Sequence, residues 1–341
     1  MRPMRERPRR PRRPSRRVAR AAAAVAVAVL GLVGAAGPRV AAEDAPGSSA
    51  CVVPVFVDDD ATLRAAYDGL RLGLEEASLP RACRRAPPTA DEGGWATVAR
   101  EVVAEGAPFV VAMGPVSCAR VAAAPFAGPA GRLPCVYVDV ALSAGRVVAP
   151  EPPRVPLPCA VVRAEVGFER VGRVLRDLLP GRPVPAVRFP WVAPSPVAAT
   201  LRAGLESAAG VRLVDDPSVP PDVVLDAPGG GEGSEPFSAS LARATSLRVP
   251  VVSLDRGRFG QGAAVVVVPD APLLGRVAAE AARRLVGGEG RDEPLRLSTR
   301  ATETWVDLEA AAAEGLDPPV PFLARADRLR RARPVPTEAG R

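Results

Sequence analysis

Arg248-Val-Pro-Val-Val-Ser-Leu-Asp255, the glycine-rich turn Arg256 to Gly262, and Ala263-Ala-Val-Val-Val-Val268 make up the stretch that decides the fold. The first apolar run ends in an aspartate. The second leads through Pro269-Asp270 into a helical pattern that stops at Gly287-Gly288. Apolar runs this short, bounded by turn residues, suit strands covered on both faces. An earlier segment, Leu133-Pro-Cys-Val-Tyr-Val-Asp139, has the same plan of proline, β-rich run and terminal aspartate. Each is preceded by another short apolar strand ending in a glycine-containing turn, Pro108 to Gly114 and Pro221 to Gly229. The chain therefore divides into two similar α/β halves, each expected to be a doubly wound parallel sheet.

Taken in order, the first half predicts a strand from Cys51 to Val57, a helix from Ala61 to Ala77, and a short strand near Ala82 to Ala86. A helix from Trp95 to Glu105 and strands at Phe109–Met113 and Cys135–Asp139 follow. In the first helix Leu63, Ala66, Tyr67, Leu70 and Leu74 share one face at helical spacing. Asp58-Asp59-Asp60 caps it, where the macrodipole favours negative charge. The second half predicts strands at Ala186–Val192, Val211–Val214 and Val223–Leu225, with helices at Val166–Leu179, Val197–Ala209 and Phe237–Ser246. Few residues separate Val214 from Val223, whereas a parallel crossover usually takes about a dozen or more, so either this half lacks one helix or Val211–Val214 does not pair as a parallel neighbour.

The 341 residues are long enough for two domains with a core each. The net charge of +7 is unevenly spread: residues 1–42 hold eleven arginines and one acid, Glu6. The remainder has 34 basic and 37 acidic residues, a net −3, which removes the case for a nucleic-acid partner. The arginine-rich start, the apolar run Ala21 to Gly34 and the small residues Val40-Ala41-Ala42 read as an export signal cleaved near Ala42. The mature protein is then expected outside the cytoplasm, where its cysteines can form disulfides. A Cys51–Cys83 bridge between neighbouring strands is the expected pair. There is no histidine, which excludes a Ser-His-Asp triad, a Cys-His pair and most catalytic zinc sites. No enzymatic activity and no cofactor are expected. The glycine-rich loop Gly229 to Gly233 lacks both G-x-G-x-x-G spacing and a P-loop lysine.

The tail Thr304-Trp-Val-Asp-Leu-Glu to Leu323-Ala-Arg-Ala-Asp327 resembles the C-terminus of ABC-transporter solute-binding proteins of the tryptophan and tyrosine uptake type. Leu175-Arg-Asp-Leu-Leu-Pro-Gly181 resembles the same group's inter-domain helix end, and Pro108 to Ser117 its "apolar strand, then Gly-Thr-Pro" element. Asp270 and Gly275 keep its spacing at the last long helix. The resemblance runs from about residue 51 to 329 and implies a type 1 periplasmic-binding-protein fold: two lobes hinged by three crossings, near 140–165, 256–270 and 295–306. It implies residues 51–145 plus 263–300 as lobe 1 and 160–256 plus 301–329 as lobe 2, with 330–341 a disordered tail. It also implies a monomer that binds a small molecule, such as an amino acid, between the lobes and delivers it to a permease in the inner membrane. A sensor or degenerate paralogue of the same fold, binding a membrane partner rather than a transported solute, is the alternative. The sequence departs from the group's pattern after Cys135, where Ser-Asp-Pro is missing, and at Pro228 to Ser234, which replaces Pro-Thr-Asp-Asn.

Loops at the carboxyl ends of the strands are the expected binding positions. They supply Asp58, Asp59, Gly114, Pro115, Ser117, Asp139, Ser195, Asp226, Asp255 and Arg256. A zwitterionic ligand needs an acid for its ammonium, and hydroxyls, backbone N–H groups or an arginine for its carboxylate. Ser117 and Ser195 open helices, where N–H groups favour anions. Tyr137 and Trp191 lie near the cleft and are candidates to stack on an aromatic ligand, although both also suit the core.

Overall fold

The computed structural model describes residues 52–85, 92–128, 131–142, 156–189, 202–216, 218–226 and 236–331. The export signal, Cys51, Trp191, Ser195, the 229–233 glycine loop and most of the 330–341 tail lie outside the described residues. Among the described residues no helix is long and apolar enough to cross a membrane.

The first sheet contains β1 (Val53–Val57), β2 (Ala82–Arg85), β3 (Val110–Met113), β4 (Cys135–Leu142), β5 (Cys159–Val166) and β11 (Leu295–Thr299). Its spatial order is β2-β1-β3-β4-β5-β11, and every pairing is parallel. The second contains β6 (Ala186–Arg188), β7 (Arg212–Leu213), β8 (Val223–Asp226), β9 (Val251–Ser253), β10 (Val265–Pro269), β12 (Thr302–Asp307) and β13 (Arg328–Arg330). Its order is β7-β6-β8-β9-β10-β12-β13, with only the β10–β12 pair antiparallel. Both halves thus begin with the same winding, second strand outside first and third on the other side. The duplication seen in the sequence is a duplication of topology.

Each sheet is covered on both faces, as its uninterrupted apolar strands require. The first is sandwiched between a cluster containing Val55, Leu70, Phe109 and Leu274 and one containing Phe56, Trp95, Val110 and Phe126. The second has Leu175, Leu205, Leu225 and Val267 on one side and Val224, Val251, Val266 and Trp305 on the other. In lobe 1, helix α1 (Ala61–Glu76) lies directly on α6 (Ala271–Val286). Gly69 and Gly275 make this possible: a Cβ at Gly275 would overlap the Ala66 carbonyl oxygen, and one at Gly69 the carbonyl of Pro272.

Three passages join the lobes. β5 belongs to the first sheet, but its last residue, Val166, packs in the second lobe's core, into which α4 (Phe168–Leu178) leads. β10 belongs to the second sheet and runs through Asp270 into α6 of the first lobe. The third passage, Arg300-Ala301, links β11 to β12. Strand pairing therefore assigns 160–166 to the first sheet and 263–268 to the second, where the sequence places them the other way round. The reason is physical: a doubly buried strand has the same composition in either sheet, and only its partner fixes its lobe. The register Cys135 opposite Cys159 does so for β5.

No helix links β7 to β8 among the described residues. Arg188 of β6, only 8% exposed, fills the space beneath that short crossover. Its Nη2 donates to the carbonyls of Asp216 (2.8 Å) and Val219 (3.2 Å), satisfying groups that a helix would have paired internally. Cys83 is disulfide-bonded, while the buried Cys135 and Cys159 are free thiols. The expected partner, Cys51, is not among the described residues.

Candidate functional site in the interlobe cleft

In each sheet the winding reverses between the first and third strands, β1 and β3 in one lobe and β6 and β8 in the other. Loops diverge at such a point and leave a crevice outside the carboxyl ends. The two carboxyl edges face each other, because α1, which starts at the edge of sheet 1, touches the Arg256–Arg258 turn that follows β9.

On the first lobe, the three consecutive aspartates do three separate jobs. Asp58 sits at the N-terminus of α3 (Pro115–Ala123). Its Oδ2 accepts from the backbone N–H of Val116 (2.9 Å). Its Oδ1 accepts from both the N–H (2.9 Å) and the hydroxyl (2.6 Å) of Ser117. Asp59 is exposed and pairs with Arg64. Asp60 caps α1, accepting from the N–H groups of Thr62 and Leu63. Gly114 has φ +100, and a Cβ there would strike the Asp58 carboxylate, so this tight turn requires glycine. Pro115 occupies the first helical position and is exposed. Ser117, 1% exposed, is thus engaged by Asp58, and the helix N-terminus expected to receive a ligand anion already holds an internal carboxylate. Asp139 lies on β4 opposite Arg163 of β5. Tyr137 is buried in the core beside Cys135 and Cys159, away from any stacking role.

On the second lobe, Asp226 and Asp255 are brought together. Asp226, 6% exposed, accepts from the Ser253 hydroxyl (2.6 Å), and its register partner on β9 is that same serine. Burial pushes the Asp226 carboxyl above the usual range, against the opposing pull of Ser253 and Arg258. Arg258 Nε lies 3.2 Å from Asp255 and 3.9 Å from Asp226, bridging the two acids, and its guanidinium rests on the Phe237 ring. Asp255 also accepts from the Gly257 N–H at 2.8 Å.

Arg256 stands apart. Its Nη2 donates to Glu303 (3.2 Å), and its guanidinium lies 4.4 Å from the centre of the Trp305 ring, which Arg328 covers as well. Its Nη1 is buried without an acceptor. Burial lowers its pKa, opposed first by Glu303, and Asp270 and Asp60 of the first lobe also act to raise it. Arg256 is therefore a second-lobe cation that feels the first lobe's carboxylates.

Arg258, Glu303, Trp305 and Ser253 were not singled out from the sequence. Ser253 alternates with Asp255 and Arg258 follows Arg256 by two, which is a local signal; Glu303 and Trp305 reach the turn only through sheet pairing. The chain has no histidine, and the acids that meet here are bridged by an arginine or capping backbone. The arrangement suits holding a charged or polar solute by fixed dipoles and charges.

No protein-family model matches the chain, and no curated protein matches its sequence. Solved structures do match. A conserved domain protein from Vibrio cholerae is 17% identical, with 83% of this chain and 100% of that chain covered and a TM-score of 0.59. An ABC domain in complex with L-Trp from Streptococcus pneumonia is 16% identical, with 82% and 99% covered and a TM-score of 0.55. A substrate-binding protein with adhesive properties from Clostridium difficile, in its ligand-free open form, is 14% identical, with 82% and 99% covered and a TM-score of 0.61. At these identities the likeness concerns the fold, which is the two-lobed α/β architecture of type 1 periplasmic binding proteins.

Proposed function

We propose that this chain is the exported solute-binding component of an ABC uptake system and closes its lobes on a small zwitterionic solute, an amino acid being the favoured class. The supporting observation is the charge arrangement at the facing edges. Asp226 and Asp139 offer carboxylates to an ammonium, and Arg256 has one guanidinium nitrogen without an acceptor to meet a carboxylate. Asp255 and Arg258 set the position of Asp226, while Asp58, Gly114, Pro115 and Ser117 form the rigid floor of the first lobe. Asp59 lies on the rim. A permease in the inner membrane is the partner, and the protein acts as a monomer without performing chemistry.

Thermal unfolding against a panel of amino acids, short peptides and sugars tests this reading. A ligand that binds only the folded state raises the apparent melting temperature by mass action. A concentration-dependent rise with amino acids supports the proposal. One observation favours a second reading, a sensor that engages a membrane partner without a transported solute: the Asp58 carboxylate fills the α3 N-terminus. A well-folded protein that shifts with nothing in the panel supports the sensor.

A further inference from the structure

The amino-terminal edge of the second sheet, at the opposite end of the strands from the cleft, holds an open groove of about 520 Å³. Its walls are the starts of β6 and β7, the helix-free crossover at Val219 to Pro221, and the turn Glu314 to Leu316 that follows α7 (Leu308–Ala313). Leu179, Val249, Pro250 and Leu316 give it an apolar lining. Two features of this groove are costly for the fold.

The first is Glu314. It is only 4% exposed, and its Oε2 accepts from the Val251 N–H at 3.1 Å, but its Oε1 is buried with no hydrogen-bond partner. The charge acting on it is that of Asp307, also an acid, which Arg330 and the N-terminus of α7 already hold. A buried carboxyl left half-satisfied is destabilising, and only its Oε2 is used by the fold, as acceptor for the Val251 N–H. The second is Arg248, which caps α5 (Phe237–Leu247) in the left-handed region, φ 54, where glycine or asparagine is the easy choice. Arg248 and Arg212 both line the groove, and among the described residues neither has a carboxylate within ion-pair distance. Arg182, beside them, is held by Asp222 at 3.1 Å. Local rules broken together at one concave place are the mark of a site.

We propose that this groove is a second binding site, separate from the interlobe cleft, for a small organic acid with an apolar body: its carboxylate is held by Arg212 and Arg248, and Glu314 Oε1 gains the hydrogen bond it lacks. Burial pushes the Glu314 carboxyl up to about 8, so at neutral pH it carries a proton to donate to that carboxylate. The missing helix explains why the site exists in this lobe, since Val219 to Pro221 wall the groove where a longer crossover would run.

Benzoate is the probe, titrated calorimetrically into the full chain near neutral pH, with benzamide as the uncharged control. Saturable benzoate binding is expected, with benzamide much weaker. The Arg212→Ala/Arg248→Ala double variant, altered only at exposed side chains, should bind benzoate about tenfold or more weakly, the loss expected for charge-assisted hydrogen bonds. Glu314→Gln, which keeps an N–H donor, should retain binding, and Glu314→Leu should lose it. In Arg256→Ala, changed only in the cleft, benzoate binding should persist. Absence of saturable binding to the native chain overturns the proposal. So does binding that survives the double arginine change or disappears with Arg256→Ala.

Discussion

Glu314→Gln should make this protein more stable at neutral pH and flatten its pH dependence. The carboxyl is buried beside Asp307 and accepts one backbone N–H, and burial raises its pKa from an ordinary 4.5 to about 8. In the unfolded chain it ionises near its ordinary value; in the folded chain it stays protonated until about 8. Between these limits the folded state binds the extra proton, so this group's contribution is fully present below 4.5 and is lost as pH rises toward 8. The slope is about 1.4 kcal/mol per pH unit, or roughly 3 kcal/mol between about pH 5 and about pH 7. Glutamine preserves the oxygen that accepts from Val251 and carries no titrating proton, so the variant escapes this loss. Urea unfolding of both proteins across that range, read as midpoints at unchanged slope, isolates the difference because every other titrating group is shared. The native-minus-variant difference should become more unfavourable with rising pH and level off above about 8. Parallel pH profiles, or a variant that is the less stable protein at about pH 7, would show that Glu314 does not titrate in this way.

Three further outcomes follow from packing and pairing. Asp58→Ala strips the Val116 and Ser117 N–H groups of their acceptor and should cost about 1–2 kcal/mol in urea unfolding, as for loss of a helix cap. Gly275→Ala forces a Cβ into the Ala66 carbonyl and should cost about 1–3 kcal/mol or more by prying α1 from α6, seen as a lowered melting temperature. Arg188→Met keeps bulk under the short crossover but leaves the Asp216 and Val219 carbonyls without their donor; a loss of about 1–3 kcal/mol is expected, with amide exchange rising first between Val214 and Val223.

The architecture was largely legible in the sequence, because a strand buried on both faces writes a continuous apolar run and a following helix writes its own period. Val265–Pro269, Val110–Met113 and Ala271–Val286 stand close to where those patterns place them. The shortened Val214–Val223 crossover was legible too, from reach alone. Lobe membership of 160–166 and 263–268 was not, since pairing partners leave no trace in a single strand's composition. The place of the candidate residues along the strands was legible, their bonding less so. Asp58, Ser117, Asp226 and Asp255 stand at carboxyl-end loops or the helix starts that follow them, which strand reading alone places. That Asp58 turns back to hold Ser117, or that Glu303 reaches Arg256 from 47 residues away, depends on side-chain direction across sheet edges. Glu314 carries no local signal at all: it reads as a solvent residue at a helix end and is buried only because the 314–316 turn folds under Val251.

The most direct test of the cleft as a solute site is calorimetric titration of amino acids into the native chain and into Arg256→Ala. Saturable binding of at least one amino acid to the native chain is expected, weakened about tenfold or more when the guanidinium is removed. Undiminished affinity in Arg256→Ala, or no binding across the set by a folded native chain, would contradict that assignment of the cleft.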